Sequence, residues 1–318
     1  MRKFCIFLCL ICCTAVVARP KIALVLGGGG AKGAAEVGVL KVIERAGIPI
    51  DYVVGTSIGS IVGGLYAAGY TAAELDTMFC QQEWLSLLTD WQIDLSSEPY
   101  RVKDGVTYIF GFPIIDQNSE GFGLMRGNQI EHVLDSMLTQ RGCTDFEHLP
   151  KPFRCVAADF RHAREVVLSK GNVSRAMRAS MAIPGLFKPV NWQGTLLVDG
   201  GMTNNLPVDV ARSMGADIVI AVDLEQKEQK ARPVGDTGLL GILASTLGVE
   251  ELLEWATQRP DIAKHLKNAA DADIYIHPAL PDADASSFGN KNAARIMVAG
   301  EQEANRLWQQ FVSLKDSL

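Results

Sequence analysis

Residues 21–59 read KIALVLGGGGAKGAAEVGVLKVIERAGIPIDYVVGTSIG. They begin with an apolar run over 21–26, of the kind that is buried on both faces of a parallel sheet. A glycine loop follows, and the apolar spacing over 33–46 predicts a helix. A second apolar run at 52–54 then leads into the pentapeptide 55–59. Strand, glycine loop, helix and strand in this order predict an α/β fold with a mainly parallel central sheet.

The pentapeptide Gly55-Thr56-Ser57-Ile58-Gly59 has the pattern of a nucleophile elbow. In that motif a serine stands at a sharp turn from a strand into a helix, and its hydroxyl points into a cleft. Glycines on both sides let the crossing strand and helix approach each other closely. Such a pentapeptide also arises by chance, so its interpretation depends on the motifs around it.

The glycine loop has the properties of an anion-binding site. Gly28, Gly29 and Gly30 stand between the first strand and the first helix, where successive backbone N–H groups and the positive helix end attract an anion. The anion is either a phosphate or the oxyanion of a tetrahedral acyl intermediate. Residues 28–33 match G-x-G-x-x-G, but the Ser57 motif occupies the place of the acidic residue in a dinucleotide fold. The oxyanion interpretation is therefore favoured.

A serine nucleophile needs a base, and Asp199 is the candidate. It ends a predicted strand and is followed by Gly200 and Gly201. A carboxylate can accept the serine proton directly when burial raises its pKa. The same tripeptide also occurs in ordinary turns. None of the histidines lies in a glycine-rich turn: His132, His148, His162, His265 and His277.

Taken together and in order, four motifs resemble the patatin-like phospholipase family, specifically its bacterial single-domain members. Residues 28–33 resemble its oxyanion loop, with Lys32 at the basic position and Gly33 closing the loop. Residues 55–59 resemble its nucleophile elbow, and 179–189, ASMAIPGLFKP, resemble its Ala-Ser…Pro…Phe-x-Pro segment. The fourth motif is Asp-Gly-Gly at 199–201.

The resemblance implies a patatin-like, three-layer α/β/α fold and a lipid acyl hydrolase of the phospholipase A type. Ser57 and Asp199 would form its catalytic dyad, Gly28, Gly29 and Gly30 would donate to the oxyanion, and no metal or other cofactor would be needed. The substrate would be a phospholipid or another lipid ester, met at a membrane surface by peripheral contact. A homodimer is common among similar proteins. Lys32 would touch a lipid phosphate or pack its stem beside the sheet.

Two other functions stay open from the sequence. An ordinary α/β-hydrolase would use a Ser-Asp-His triad with His265 or His277 last in chain order. The short distance from the glycine loop to the elbow argues against it. A lipid-binding protein without catalysis could also use the same scaffold.

The composition fits one large α/β domain with a modest extension. The chain has 318 residues, of which 48% are hydrophobic and 30 are glycine. Its formal charge of −6 and the lack of a basic footprint exclude a nucleic-acid partner. Cys80, Cys143 and Cys155 are too scattered for a disulfide framework or a zinc site. We predict buried free thiols, with one disulfide as the alternative.

The first residues differ from the rest. A short basic start precedes an apolar run from Phe4 to Val17, and small residues up to Ala18 suit cleavage. This pattern predicts a signal peptide over 1–18 and export to the periplasm or out of the cell. An uncleaved anchor, or a lipoprotein acylated at Cys12 or Cys13, are the alternatives.

Residues 19–318 would then form the patatin-like domain, with a motif core over 21–224 and a C-terminal extension over 225–318. In the extension we predict a polar loop at 225–237, a helix at 239–258, a strand at 272–277 and a helix from 291 to the end. The aromatic and leucine-rich stretch from Trp84 to Phe112 is either a lid or membrane-facing surface, or part of the core.

Overall fold

The structure is a computed structural model, and it describes residues 19–88, 90, 100–103, 106–109, 112–116, 123–225, 262–280, 283 and 289–318. The predicted signal peptide, almost all of the polar loop and the predicted helix at 239–258 lie outside these residues. Much of the aromatic stretch between Trp84 and Phe112 also lies outside them.

The described residues form strands and helices in frequent alternation. The strands are β1 (Ile22–Leu26), β2 (Tyr52–Thr56), β3 (Tyr100–Lys103), β4 (Val106–Ile109), β5 (Phe112–Asp116), β6 (Gly123–Met125), β7 (Phe153–Asp159), β8 (Arg164–Leu168), β9 (Gly185–Phe187), β10 (Val190–Trp192), β11 (Thr195–Asp199), β12 (Ile218–Val222) and β13 (Ile274–Ile276). The helices are α1 (Ala34–Ala46), α2 (Ile58–Ala67), α3 (Ala72–Gln81), α4 (Trp84–Leu88), α5 (Asn128–Gln140), α6 (Val173–Ser180), α7 (Val208–Ser213), α8 (Ile262–Asp271), α9 (Asn290–Arg306) and α10 (Trp308–Asp316).

The central sheet has the strand order β10-β11-β7-β2-β1-β12-β13, and β8 pairs with β7. The five strands β7, β2, β1, β12 and β13 are parallel to one another. Strands β8, β11 and β10 join by antiparallel pairing. The predicted mainly parallel sheet is therefore confirmed, with an antiparallel part on the β7 side.

Strand β1 shows why the fold has three layers. Ile22, Leu24 and Leu26 belong to one apolar cluster, and Ala23 and Val25 belong to a second cluster on the opposite face. Side chains alternate between the faces of a strand, so an all-apolar strand needs cover on both sides. Helices α1, α2, α5, α6 and α9 contribute to the first cluster, and α7 to the second. The predicted α/β/α architecture is confirmed.

The C-terminal extension differs from its prediction in two ways. The predicted last helix is interrupted at Leu307, which separates α9 from α10. Helix α8, between the predicted helix at 239–258 and β13, was not predicted at all. The predicted last strand is present as β13.

The described residues at the start of the aromatic stretch belong to the core. Trp84 and Leu88 are buried, and Trp84 Nε1 donates a hydrogen bond to the Phe79 carbonyl oxygen at 3.2 Å. The lid or membrane-facing role of the remaining residues stays a prediction.

No helix in the described part of the chain combines the length and apolar character that a membrane span requires. The three predicted free thiols are confirmed, and two of them, Cys143 and Cys155, are buried.

Candidate active site

The glycine loop and the elbow meet at one edge of the sheet. Strands β1 and β2 are parallel, with Leu26 paired to Gly55, so the loops that follow them leave on the same side. A Cβ atom placed on Gly28 would lie 3.1 Å from Ser57 Cβ. The structure therefore brings the loop and the serine into direct contact.

Asp199 reaches this edge by a different route. Strand β7 is parallel to β2, with Val156 paired to Thr56, and it continues for three residues beyond that pair. Strand β11 pairs antiparallel with this continuation and runs back toward the edge, where Asp199 is opposite Ala157. An antiparallel strand thus delivers a carboxylate to the carboxyl ends of the parallel strands.

The two predicted catalytic side chains are in contact. Ser57 Oγ donates a hydrogen bond to Asp199 Oδ2 at 2.6 Å, and the Gly201 N–H donates to Asp199 Oδ1 at 2.7 Å. Burial raises the pKa of Asp199 to about 6, although these two hydrogen bonds act in the opposite direction. A carboxylate with this pKa is ionised at neutral pH and is a stronger base than an exposed aspartate.

Ser57 has the backbone conformation of a nucleophile elbow. Its φ is 54° and its ψ is −125°, a region that non-glycine residues rarely occupy. Hydrogen bonds hold it there: the Ser57 carbonyl oxygen accepts from the Ser60 N–H at 2.9 Å and from Ser60 Oγ at 2.6 Å. The predicted strand-turn-helix geometry of this motif is present.

Close backbone approach explains the two glycines of the elbow. A Cβ on Gly55 would lie 2.2 Å from the Gly59 carbonyl oxygen, and a Cβ on Gly59 would lie 2.3 Å from the Leu26 carbonyl oxygen. Both distances are far shorter than any van der Waals contact, and the obstructing atoms are backbone. Helix α2 can start directly over β1 and β2 only because these positions lack a side chain.

Ser180 links the backbone of the elbow to strand β7, a role that was not predicted from the sequence. Its Oγ accepts the Ser57 N–H at 2.9 Å and donates to the Val156 carbonyl oxygen at 2.5 Å. Because the hydroxyl proton of Ser180 is donated to the Val156 carbonyl oxygen, a lone pair of Oγ is free to accept the Ser57 N–H. The signal was available, because Ser180 belongs to the family-like segment at 179–189.

The structure modifies the prediction for the oxyanion loop. The Gly28 N–H donates to the Asn205 carbonyl oxygen at 3.1 Å, and Asn205 Nδ2 donates to the Gly28 carbonyl oxygen at 3.3 Å. Gly28 is therefore already engaged, which departs from its predicted role as a donor to the oxyanion. Gly29 and Gly30 are left as the candidate donors of the loop.

The remaining motif residues pack closely around the site. Lys32 is buried, and its Cε lies 3.4 Å from the position of a Cβ on Gly29, so its stem packs behind the loop. Gly33 faces the Ile58 side chain, and Gly200 faces the Val156 carbonyl oxygen. Whether Lys32 also touches a lipid phosphate stays a prediction.

A cluster on the other side of the loop could supply metal ligands. Asp223, Glu225 and His265 each offer one ligand atom, and these atoms lie within 4.8 Å of one another. A metal-bound imidazole normally donates its other ring N–H to an acceptor, but His265 Nδ1 is buried and has no hydrogen-bond partner among the residues that the structure describes. A hydrogen-bonded cluster therefore fits these residues better than a metal centre.

The two histidines of the triad alternative are engaged at this cluster. His265 Nε2 lies 2.8 Å from Asp223 Oδ2, and His277 Nδ1 lies 3.2 Å from the Asp223 carbonyl oxygen. The Ser57 hydroxyl donates instead to Asp199. The geometry thus gives the triad no support.

The sequence matches a known family model. Residues 24–212 match the model described as patatin-like phospholipase, a segment that includes all four motifs. The chain belongs to the patatin-like phospholipase family. The mouse (Mus musculus) patatin-like phospholipase domain-containing protein 6 is 36% identical over 225 residues, which are 70% of this chain and 15% of that protein. Lysophospholipase NTE1 of Mycosarcoma maydis is 37% identical over 219 residues, 68% of this chain and 10% of that protein.

One solved structure has a similar fold. The crystal structure of VipD from Legionella pneumophila aligns with a TM-score of 0.50 and 14% sequence identity, over 92% of this chain and 67% of that one. At this identity the likeness concerns the fold alone. The chain spans only 10–15% of the length of the two relatives above, so their activities as whole proteins are a separate matter.

Proposed function

We propose that this patatin-like protein is a lipid acyl hydrolase that cleaves carboxylic esters through an acyl-enzyme on Ser57. The observation that carries the proposal is the 2.6 Å hydrogen bond from Ser57 Oγ to the buried carboxylate of Asp199. A serine activated by a directly bonded base, beside a glycine loop that can bind an anion, has the parts that acyl transfer requires.

In the first step Asp199 accepts the Ser57 proton while Oγ forms a bond to the ester carbonyl carbon. The carbonyl π electrons move to the oxygen, and the N–H groups of Gly29 and Gly30 stabilise the resulting negative charge. The intermediate collapses when the bond to the alcohol oxygen breaks and Asp199 returns the proton to that oxygen. The acyl group then remains on Ser57.

In the second step Asp199 accepts a proton from water, and the water oxygen attacks the acyl carbon. Collapse of this intermediate breaks the bond to Ser57 Oγ, which regains a proton from Asp199, and the fatty acid leaves. One carboxylate acts as base and acid in turn, which suits a pKa of about 6. Losing a single oxyanion donor costs on the order of a hundredfold in rate.

The substrate class and setting belong to the same proposal. We favour phospholipids or lysophospholipids, a choice supported by the family and by a relative that is named as a lysophospholipase. Such a substrate would be met by peripheral contact with a membrane. Export by the predicted signal peptide to the periplasm or the medium, and a homodimer, complete the proposed setting.

Covalent labelling with a fluorophosphonate probe tests the dyad. We expect wild-type protein to be labelled, Ser57→Ala to lose labelling and Asp199→Asn to be labelled much more slowly. Undiminished labelling of Ser57→Ala would exclude Ser57 as the nucleophile. A wild-type protein that releases no fatty acid from phosphatidylcholine, lysophosphatidylcholine or p-nitrophenyl esters would instead indicate the lipid-binding alternative.

A further inference from the structure

Helix α8 buries two polar side chains, His265 and Asn268, and exposes its two largest apolar ones, Ile262 and Leu266. His265 and Asn268 are 6% and 2% exposed, whereas Ile262 and Leu266 are 55% and 61% exposed. A surface helix normally has the opposite arrangement. Buried polar groups are costly unless they are hydrogen-bonded, so the partners of His265 and Asn268 show what this helix is built to hold.

His265 holds the segment that supports the glycine loop. Its Nε2 lies 2.8 Å from Asp223 Oδ2 and 3.2 Å from Glu225 Oε2, so it joins the residues on either side of Leu224. Leu224 packs on the loop, because its Cβ is only 2.8 Å from the position of a Cβ on Gly29. A shift of this segment would therefore move Gly29.

Asn268 holds the loop that follows Asp199. Its Nδ2 lies 2.8 Å from the Leu206 carbonyl oxygen and 3.0 Å from Asn204 Oδ1. The Asn204 carbonyl oxygen in turn accepts a hydrogen bond from Thr56 Oγ1 at 2.9 Å, and Thr56 directly precedes Ser57. This loop also contains the Asn205 carbonyl that binds the Gly28 N–H.

From these contacts we infer that α8 positions the active site, with His265 fixing the oxyanion loop and Asn268 fixing the loop between Asp199 and α7. Both are positioning residues and neither touches the substrate. Helix α8 lies beyond residues 24–212, so the family match does not contain it. The inference rests on the proposed hydrolase function and adds to it a part of the chain outside the family motifs.

Misplacing catalytic groups by about 1 Å can lower a rate on the order of a hundredfold. Because the oxyanion forms only in the transition state, the loss should fall on kcat and leave KM nearly unchanged. A substitution that merely loosens the fold would lower the amount of folded enzyme and leave kcat per folded molecule as it was.

The experiment compares His265→Leu with His265→Gln. The Gln side-chain amide can donate to Asp223 as the imidazole does, and Leu cannot. We expect His265→Leu to lower kcat by about tenfold or more with KM within about twofold, and His265→Gln to restore most of kcat. Glu225→Gln, which weakens one of the two contacts of His265, should lower kcat by a smaller factor.

Asn268→Asp tests the second contact. The size of the side chain is kept, but the donor is lost and an anion is placed near Asp209, whose Oδ1 is 3.1 Å from Asn268 Nδ2. We expect a fall in kcat of about tenfold or more. Lys267→Gln and Leu266→Gln, on the exposed face of the same helix, are the matched controls and should keep wild-type kcat. All rates use protein that elutes as a folded species and has its circular dichroism checked.

Unchanged kcat in both His265→Leu and Asn268→Asp would overturn the inference while the wild type remains active. Equal losses of kcat in His265→Leu and His265→Gln would also overturn it, because they would mean that the imidazole itself is needed. A loss of wild-type activity on chelation would overturn it as well, because it would assign Asp223, Glu225 and His265 to a metal. If His265→Leu does not fold, Glu225→Gln and Asn268→Asp decide. An inactive wild type refutes the hydrolase proposal instead.

Discussion

Replacing Asp199 with Asn should abolish hydrolysis and make the protein more stable at neutral pH. Asp199 is 7% exposed, and burial raises its pKa from 3.8 to about 6, so the folded protein binds its proton more tightly than the unfolded chain does. Between these two pKa values the folded state carries more protons, and stability falls as pH rises. Above pH 6 the ionised carboxylate thus destabilises the fold.

The size of this effect follows from the shift. A change from 3.8 to about 6 is roughly 2 pKa units, which corresponds to about 3 kcal/mol at 1.36 kcal/mol per unit. Asn has the same shape and no charge, and its Oδ1 can still accept from the Gly201 N–H. We expect Asp199→Asn to gain about 1–3 kcal/mol at pH 7.5 and almost nothing at pH 4, where Asp199 is protonated.

Urea unfolding of both proteins at pH 7.5 and pH 4, with midpoints and slopes compared, measures this difference. Asp51 gives a control of opposite sign: burial raises its pKa, but hydrogen bonds from Arg19, Ile22 and Lys21 outweigh this and lower it. Asp51→Asn should lose stability at pH 7.5 and less at pH 4. If Asp199→Asn is less stable than wild type at pH 7.5, or its gain is equal at both pH values, the reasoning is refuted.

Three further predictions concern the same site. kcat/KM should fall about tenfold per pH unit below about 6, since Asp199 must be ionised to accept the Ser57 proton; a profile that stays flat down to pH 4.5 would contradict the pKa of about 6. Ser180→Ala removes the acceptor of the Ser57 N–H, and we expect about a tenfold lower kcat and slower fluorophosphonate labelling, with KM unchanged. Gly59→Ala would place a Cβ 2.3 Å from the Leu26 carbonyl oxygen and should lower stability by about 3 kcal/mol or more, seen as a lower melting temperature. Gly289→Ala, where a Cβ meets no atom of the described residues within 4 Å, is its control and should melt as wild type does.

The parts of the fold that the sequence predicted are those encoded locally. The strand before the glycine loop is uniformly apolar, and the apolar spacing over 33–46 predicted helix α1 almost to the residue. Helix α8 could not be found in this way. Its inward face carries His265 and Asn268, so the apolar periodicity has the wrong phase for a helix packed on the sheet.

In the candidate site, too, the residues that local sequence determines were predicted, and the contacts between distant residues were not. The glycines of the elbow and Asp199 were found because tight turns restrict which residues they accept. The engagement of Gly28 by Asn205 was missed because it joins positions 177 apart, and on the Gly28 side it uses backbone groups that every residue carries. The family-like segment at 179–189 indicated that Ser180 lies near the site, but its role depends on which way its hydroxyl points, and the sequence carries no information on that.

Energetically unfavourable features collect at one edge of this sheet. Ser57 has a strained backbone, Asp199 is a buried carboxylate that must ionise, and α8 buries the polar side chains of His265 and Asn268. Each would be replaced by a more stable arrangement if folding were the only requirement, and each contacts the serine, its base or the loops that carry them. The gain in stability expected of Asp199→Asn is therefore the measurable form of a general statement about this protein. The buried apolar sheet stabilises the fold, whereas the loops at the carboxyl ends of its strands contain residues that destabilise it. The proposed reaction needs those same residues.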